Sequence, residues 1–588
     1  MPREWSGAAV DPGGGKPAPG EWQSVEVPGR PAAFAGEDRV AYRTVFDDPR
    51  DPDEDLGLLE LRGLYANAEV WLNDELVAES DAVFAPVKVP FEPDAENELV
   101  VECRAPEDRF GGIHDTDRIP ADRAVPGIWW GVDVTGQPDP FVVDVDLRPR
   151  STAEGAAIDA AVEVYAGESL DDRLTLTTKP AGDRRGRGMM DRASVSAASG
   201  ERAVVEKAIE VRDPSLWWPR GMGRQHRYEV RAKLDDAART SATGIATVEG
   251  TDQGGLRVNG EDVPVRGVAL ADAAVADVER AVEVNANLVR AHAHALPEAV
   301  YDACDEAGLL VWQDLPLTGP GEFDAYRGAD LAERLVNASE SHPALAAVGI
   351  HDDPVESYAQ GLGSGVLDKL RYRWRAWRAG YDESTANEVA DAVEGVPTFP
   401  VIGRPGIDPD AATLYPGWEF GSPDALDWVC NHYGLGDVVA EFGAGIGEDG
   451  PAEQAATVGR VAEGLRLRES AIACVYALQD ASAAGMGLLD GDGNARPAYD
   501  RLQAAFEPVQ AVLTDPTPGK SDVVVVHDVA EDATVTVEWD VDGEREQTEL
   551  AVDAFGRETA GSVSLSSGED VTLAVARDGR VSRNEYSI

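Results

Sequence analysis

The sequence predicts a multidomain chain in which a (β/α)8 TIM barrel follows two β-sandwiches and precedes a third, smaller one. Three observations carry this. At 588 residues the chain exceeds what one hydrophobic core organises, since domains cluster near about 150 residues. Up to about residue 248, and again beyond about 508, short runs alternate apolar and polar positions between turn residues, the period-2 pattern of antiparallel sheets. Between those limits short apolar runs alternate with amphipathic helical stretches, as a parallel barrel requires.

Taken in order, AYRTVF, LGLLELRG, AEVWLN, VKVPF and ELVVECRA read as the strands of a first sandwich over residues 1–148. A second all-β stretch, 149–248, contains AAIDAAVEVYAG, DRLTLTTKP and RYEVRAKL. The barrel is assigned to 249–512. Its eight strand candidates are VPVRGVAL, ANLVRAHA, LLVWQDLP, ALAAVGIHDD, TFPVIG, a weak one near ATLYPGW, DVVAEFGA and AIACVYALQD. Helical stretches such as PEAVYDACDEAG and AEQAATVGRVAEGLRLR separate them. DVVVVHD, TVTVEWDVD and VTLAVARD then return to alternation, giving a small sandwich over 513–588.

Composition narrows the function classes. The chain has 52 basic residues, only seven of them Lys, against 108 acidic ones, for a net charge of -56. Such a chain repels itself in dilute salt, whereas molar salt shortens the Debye length to about 3 Å. A halophilic cytoplasmic protein is therefore expected. The acids are dispersed rather than gathered in a tail, and neither nucleic acid nor an anionic membrane is expected as a partner. Cys103, Cys304, Cys430 and Cys474 have no CxxC neighbour, so they read as buried free thiols rather than a zinc site or disulfide framework. The first residues show no apolar signal region, and no run approaches the roughly 18 apolar residues of a membrane span.

A TIM barrel builds its active site at the C-terminal ends of its strands, so the polar residues ending each apolar run are the candidates. They are Arg290, His292 and His294 on the second strand, and Gln313 and Asp314 on the third. The fourth ends in His351, Asp352 and Asp353, the seventh in Glu441 and the eighth in Asp480. Asp353 and Glu441 lie on opposing strands, an arrangement that suits glycoside hydrolysis, where one carboxyl protonates the leaving oxygen and the other attacks the anomeric carbon. The competing reading of strand-end acids in so acidic a chain is solvated surface. Trp312 and Trp418 offer faces on which a sugar could stack, although a barrel Trp is more often core. The three histidines read as hydrogen-bonded cleft walls, and no metal or cofactor is expected.

Several segments are similar to family 2 glycoside hydrolases. RVNGEDVPVRGVAL (257–270) resembles the opening of that family's barrel, and YDACDEAGLLVWQDLPL (301–317) resembles the stretch around its third strand. AEVWLNDELV, ENELVVE and PGIWWGVDV resemble its jelly-roll domain, and DPSLWWPRGMGRQHRY (213–228) resembles the end of its immunoglobulin-like domain. The Leu-Trp-Trp-Pro run there points to the β-mannosidase-like branch. The likeness spans residues 20 to 510. It implies that the two leading sandwiches are a jelly roll and an immunoglobulin-like domain, and that the activity is retaining, exo-acting hydrolysis of a β-linked sugar. Glu441, in VVAEFGAG, matches the family's nucleophile. Arg290 matches the arginine that orients it, a role expected to lower the nucleophile's pKa.

The chain departs from the family at the proton donor. Where the branch reads His-Asn-Glu-Pro, this sequence has His351, Asp352, Asp353 and Pro354. Asp353 is one methylene short of the usual acid/base, and Asp352 replaces an Asn that helps hold the sugar. The adjacent charge is expected to raise the pKa of one of the two. Arg290, His292, Asp314, His351, Asp352, Trp418 and Asp480 are the expected substrate-binding set, with Tyr476 or Trp418 in place of a platform Trp on the eighth strand. An alternative is a catalytically impaired, carbohydrate-binding relative. A structural or assembly role is a third reading.

Overall fold

The computed structural model describes residues 4–152, 155–182, 188–358, 362, 365–447, 450–481 and 485–588. Eight parallel strands close into a barrel: β1 (Val265–Leu270), β2 (Leu288–Ala291), β3 (Leu310–Asp314), β4 (Leu345–Asp352), β5 (Thr398–Gly403), β6 (Ala411–Leu414), β7 (Val438–Phe442) and β8 (Ile472–Val475). Closure is made by β1 against β8, with Val265 opposite Ile472. The strands are buried on both faces, because helices cover the outside while side chains fill the inside. This is why the segments read as nearly continuous apolar runs.

The helices are α1 (Val275–Glu283), α2 (Glu298–Ala307), α3 (Ala325–Ser339), α4 (Val366–Ala379), α5 (Ser384–Ala390), α6 (Pro416–Phe420), α7 (Leu426–Tyr433), α8 (Pro451–Leu467) and α9 (Pro497–Ala505). Helix α2 shows the local logic. Pro297 stands just before its first turn and Gly308, at φ +75°, ends it in the left-handed conformation that favours glycine. Among the described residues no helix is long and apolar enough to cross a membrane.

The first sandwich pairs a six-stranded sheet with a three-stranded one in which Leu56–Tyr65 lies between Val87–Phe91 and Gly127–Gln137. Leu59, Leu61, Val70 and Val101 fill the space between them. Asn73 and Asp74 turn the Asn67–Leu72 and Glu75–Ser80 hairpin with positive φ at both positions, as a tight hairpin turn requires. The second sandwich packs three strands on four around Ile158, Val162, Leu174 and Val230. The last does the same around Val525, Val537 and Leu573. All four cysteines are buried and unpaired.

One long connection of the first sandwich, between Glu96–Arg104 and Gly127–Gln137, lies over the C-terminal mouth of the barrel. Ile113 N–H donates to the Ala293 carbonyl at 2.9 Å, and Arg109 donates to the carbonyls of Thr318, Gly319 and Pro320. Gly112 allows this approach: its φ is +65°, and a Cβ there would stand 2.1 Å from the Ala293 oxygen. Asp272, just past β1, fixes the same seam with a bidentate pair to Arg30 at 2.7 and 2.9 Å.

Candidate active site

Arg290, at the end of β2, is fully buried and organises the mouth. One amino group meets Asp314 at 2.6 Å and Asp352 at 2.7 Å, while the other meets Glu441 at 3.3 Å. One guanidinium thus ties together the ends of β2, β3, β4 and β7. His292, two residues further on and just past β2, lies with Nδ1 3.3 Å from Glu441 and Nε2 3.7 Å from Asp352. Thr318 donates to the second oxygen of Asp352 at 2.8 Å. The donor atoms of His292, Asp352 and Glu441 lie within 4.8 Å of one another, a spacing a metal ion could bridge. Arg290 already supplies a positive charge bonded to both carboxylates.

Tyr415 donates to the other oxygen of Glu441. Burial pushes the Glu441 carboxyl up to about 7, helped by Asp352 and Asp353 and opposed by Arg290 and the Tyr415 hydroxyl. The expectation that Arg290 would hold this carboxyl low is therefore corrected, because desolvation outweighs one cation that is shared among three acids. Burial likewise raises Asp314 to about 6. Asp352 goes the other way. Burial opposes its charge, but the His292 ring, Arg290 and Arg118 outweigh it and hold the carboxyl well below the usual range. The pressure Asp352 exerts thus falls on Glu441. Burial also drives the His292 imidazole down to about 3, so the ring acts on Asp352 as a cation only in acid, and at pH 7 it is neutral and Arg290 and Arg118 are the charges that hold Asp352 ionised.

Asp353 is buried and its backbone turns to φ +46°. Among non-glycine residues Asp is one of those best suited to this left-handed region. Its Oδ2 accepts from Arg118 at 2.8 Å, while its Oδ1, also buried, accepts no hydrogen bond. Arg118 comes from the first sandwich, on the connection that crosses the mouth, and its charge also acts on Asp352 and Glu441. Beside them Arg404, just past β5, pairs with the buried Glu419 of α6. Burial raises that acid to about 7.

The remaining expected residues divide. Trp418 is largely exposed at the mouth, edge-on to Tyr415 at 5.7 Å. Tyr476 lies 4.9 Å from the His292 ring. His351 is held between the Tyr381 hydroxyl at 2.6 Å and the Gly319 carbonyl at 2.9 Å, so it supports the wall. Asp480 accepts from Gly487 N–H at 2.6 Å and pairs with Arg496, which commits both its oxygens to the loop after β8. Trp312 is core, stacked on Phe399 at 4.3 Å beneath Arg290. Sequence reasoning missed Tyr415 and Arg118. Tyr415 stands immediately after β6 and obeys the strand-end rule that found the others. Arg118 carried no such signal, since it is 235 positions from its partner.

Comparison with known proteins bears on this geometry. Residues 141–245 match the family model described as glycosyl hydrolases family 2. Over 410 residues the chain is 25% identical to β-mannosidase B of Emericella nidulans, covering 58% of itself and 47% of that protein. It spans about half the length of the curated relatives it matches. The β-D-mannosidase of Dictyoglomus thermophilum superposes with a TM-score of 0.73 at 17% identity, covering 100% of this chain and 88% of that one. The β-glucuronidase of Bacteroides uniformis does so with a TM-score of 0.70 at 14% identity, covering 100% and 79%. The multidomain barrel fold of this chain is thus shared with enzymes named for different sugars.

Proposed function

We propose that this chain hydrolyses a β-linked glycoside with retention, acting on the end of a carbohydrate. Glu441 attacks the anomeric carbon, and Asp353 gives a proton to the leaving oxygen and takes one from water in the second step. The observation that carries this reading is the convergence on Glu441 of Arg290, Tyr415 and His292 at the barrel mouth. That is the environment of a group whose orientation and charge are controlled, not of a solvated acid. Asp314 and Asp352 hold Arg290 in turn. Asp353 Oδ1, which no protein group engages, is the atom available to a glycosidic oxygen. The similarity to β-mannosidases favours a β-mannoside.

Arg118 holds the other oxygen of Asp353, at 2.8 Å. Binding without turnover is therefore a second reading, favoured by the Arg118–Asp353 ion pair and the short side chain at 353. Hydrolysis of a panel of nitrophenyl β-glycosides in molar KCl separates the two. Turnover that falls at least 1,000-fold in Glu441→Gln is expected. Turnover unaffected by that change would remove Glu441 from the mechanism, and sugar binding without any turnover would favour the second reading.

A further inference from the structure

Helix α4 is amphipathic the wrong way round. Its protein-facing side carries Tyr372, packed among Tyr358, Phe420 and Tyr433, together with the small Ala376 and with Arg375, which donates to the Tyr358 carbonyl. Its outward side carries Val366, Leu367, Leu370, Trp374 and Trp377, whose exposures run from 52% at Leu370 to 79% at Trp377. At 3.6 residues per turn these five positions fall within an arc of about 100°. They present several hundred Å² of contiguous apolar surface, about the largest patch a monomer ordinarily leaves to water.

The charge around this stripe is also reversed. Of the 14 residues of α4, Lys369, Arg371, Arg373, Arg375 and Arg378 are cationic and only Asp368 is acidic, in a chain with 52 basic and 108 acidic residues. Arg378 lies over the Trp374 ring at 5.0 Å, and Arg371 pairs with Asp368 at 3.0 Å. Exposed Trp and Arg with few Lys, Asp or Glu is the composition of the centre of a protein interface.

We propose that the outward face of α4 is where two copies of this chain associate. A chain of charge -56 resists contact with its own copy almost everywhere, and α4 is a place where that resistance is locally cancelled. A two-fold contact lays stripe against stripe, and the flanking arginines reach acids that are abundant on the same chain, beginning with exposed Asp382 and Glu383 just past the helix. An anionic lipid surface would attract α4 but repel the rest of the molecule. The paired stripes approach the roughly 800 Å² per partner of a stable interface.

Sedimentation velocity of the full chain in molar KCl, over a range of concentrations, tests this. A mass about twice the 62.5 kDa of one chain is expected. In Trp374→Ser/Trp377→Ser the dissociation constant should rise at least 100-fold, with circular dichroism unchanged because both side chains are exposed. Arg371→Glu/Arg378→Glu should weaken association too, more in dilute than in concentrated KCl. A wild-type chain that stays monomeric throughout overturns the proposal, as does a dimer indifferent to the tryptophan pair. A monomer that floats with phosphatidylglycerol vesicles, and ceases to in the tryptophan variant, assigns the stripe to a membrane instead.

Discussion

Glu441 ties activity to pH with a definite sign. A nucleophile must be ionised, and burial places its midpoint near 7, so kcat/KM should fall about tenfold per unit as pH drops below that value. Tyr415 donates to the ionised form, so Tyr415→Phe should move the acid limb to higher pH, whereas a purely structural tyrosine would leave it in place. Asp353→Ala, if Asp353 is the acid, should cost about 100- to 10,000-fold on alkyl glycosides and much less on a nitrophenyl glycoside, whose leaving group needs no proton. Equal losses on both would remove Asp353 from that role. At this scale the sequence was readable where strand ends announce themselves, as with Arg290, Asp314, Asp352 and Glu441. Its electrostatics were not, because the balance between burial and cations depends on how many acids share Arg290. The positive φ at Asp353 was equally hidden, although it gives a physical reason for Asp at that position.

The eight barrel strands could be read as elements because burial on both faces removes polar residues from them, leaving runs such as LLVWQD whose ends are marked by charge; even the weak candidate near ATLYPGW overlaps a strand, Ala411–Leu414. What could not be read is how separate sheets meet. Asp528 follows the strand Gly519–His527 of the last sandwich and is buried under the barrel, where it takes Arg266 of β1 at 3.1 Å, Arg466 of α8 at 2.8 Å and Arg557 at 2.8 Å. Burial opposes its charge, but the three guanidiniums outweigh burial and hold the carboxyl well below its usual range. Asp528→Ala would leave three mostly buried cations without their shared partner. A loss of about 3–5 kcal/mol is expected, read as a lower urea midpoint in molar KCl. An unchanged midpoint would mean that the C-terminal sandwich does not depend on this carboxylate for its seat.

For the molecule as a whole, charge was the most readable property and topology between domains the least. A net charge of -56 is spread over surfaces whose ion pairs are local, as where Asp81 receives both Arg327 and Arg334 of α3. Such exposed pairs contribute little individually, and with 108 acids to 52 basic residues most acids have no cation to meet. In dilute buffer, with a Debye length of about 30 Å at 0.01 M, each acid feels many others across the surface, whereas near 1 M the range shrinks to about 3 Å and only direct neighbours count. The folded state concentrates this repulsion and the unfolded chain relaxes it, so added salt favours folding. The thermal midpoint should therefore climb steeply with KCl up to about 1 M and flatten beyond. NaCl at equal ionic strength should give nearly the same curve, because screening does not distinguish the two cations. A midpoint that stays level from 0.05 to 2 M would mean that the acids are already compensated pair by pair, and that their excess is not an adaptation to salt.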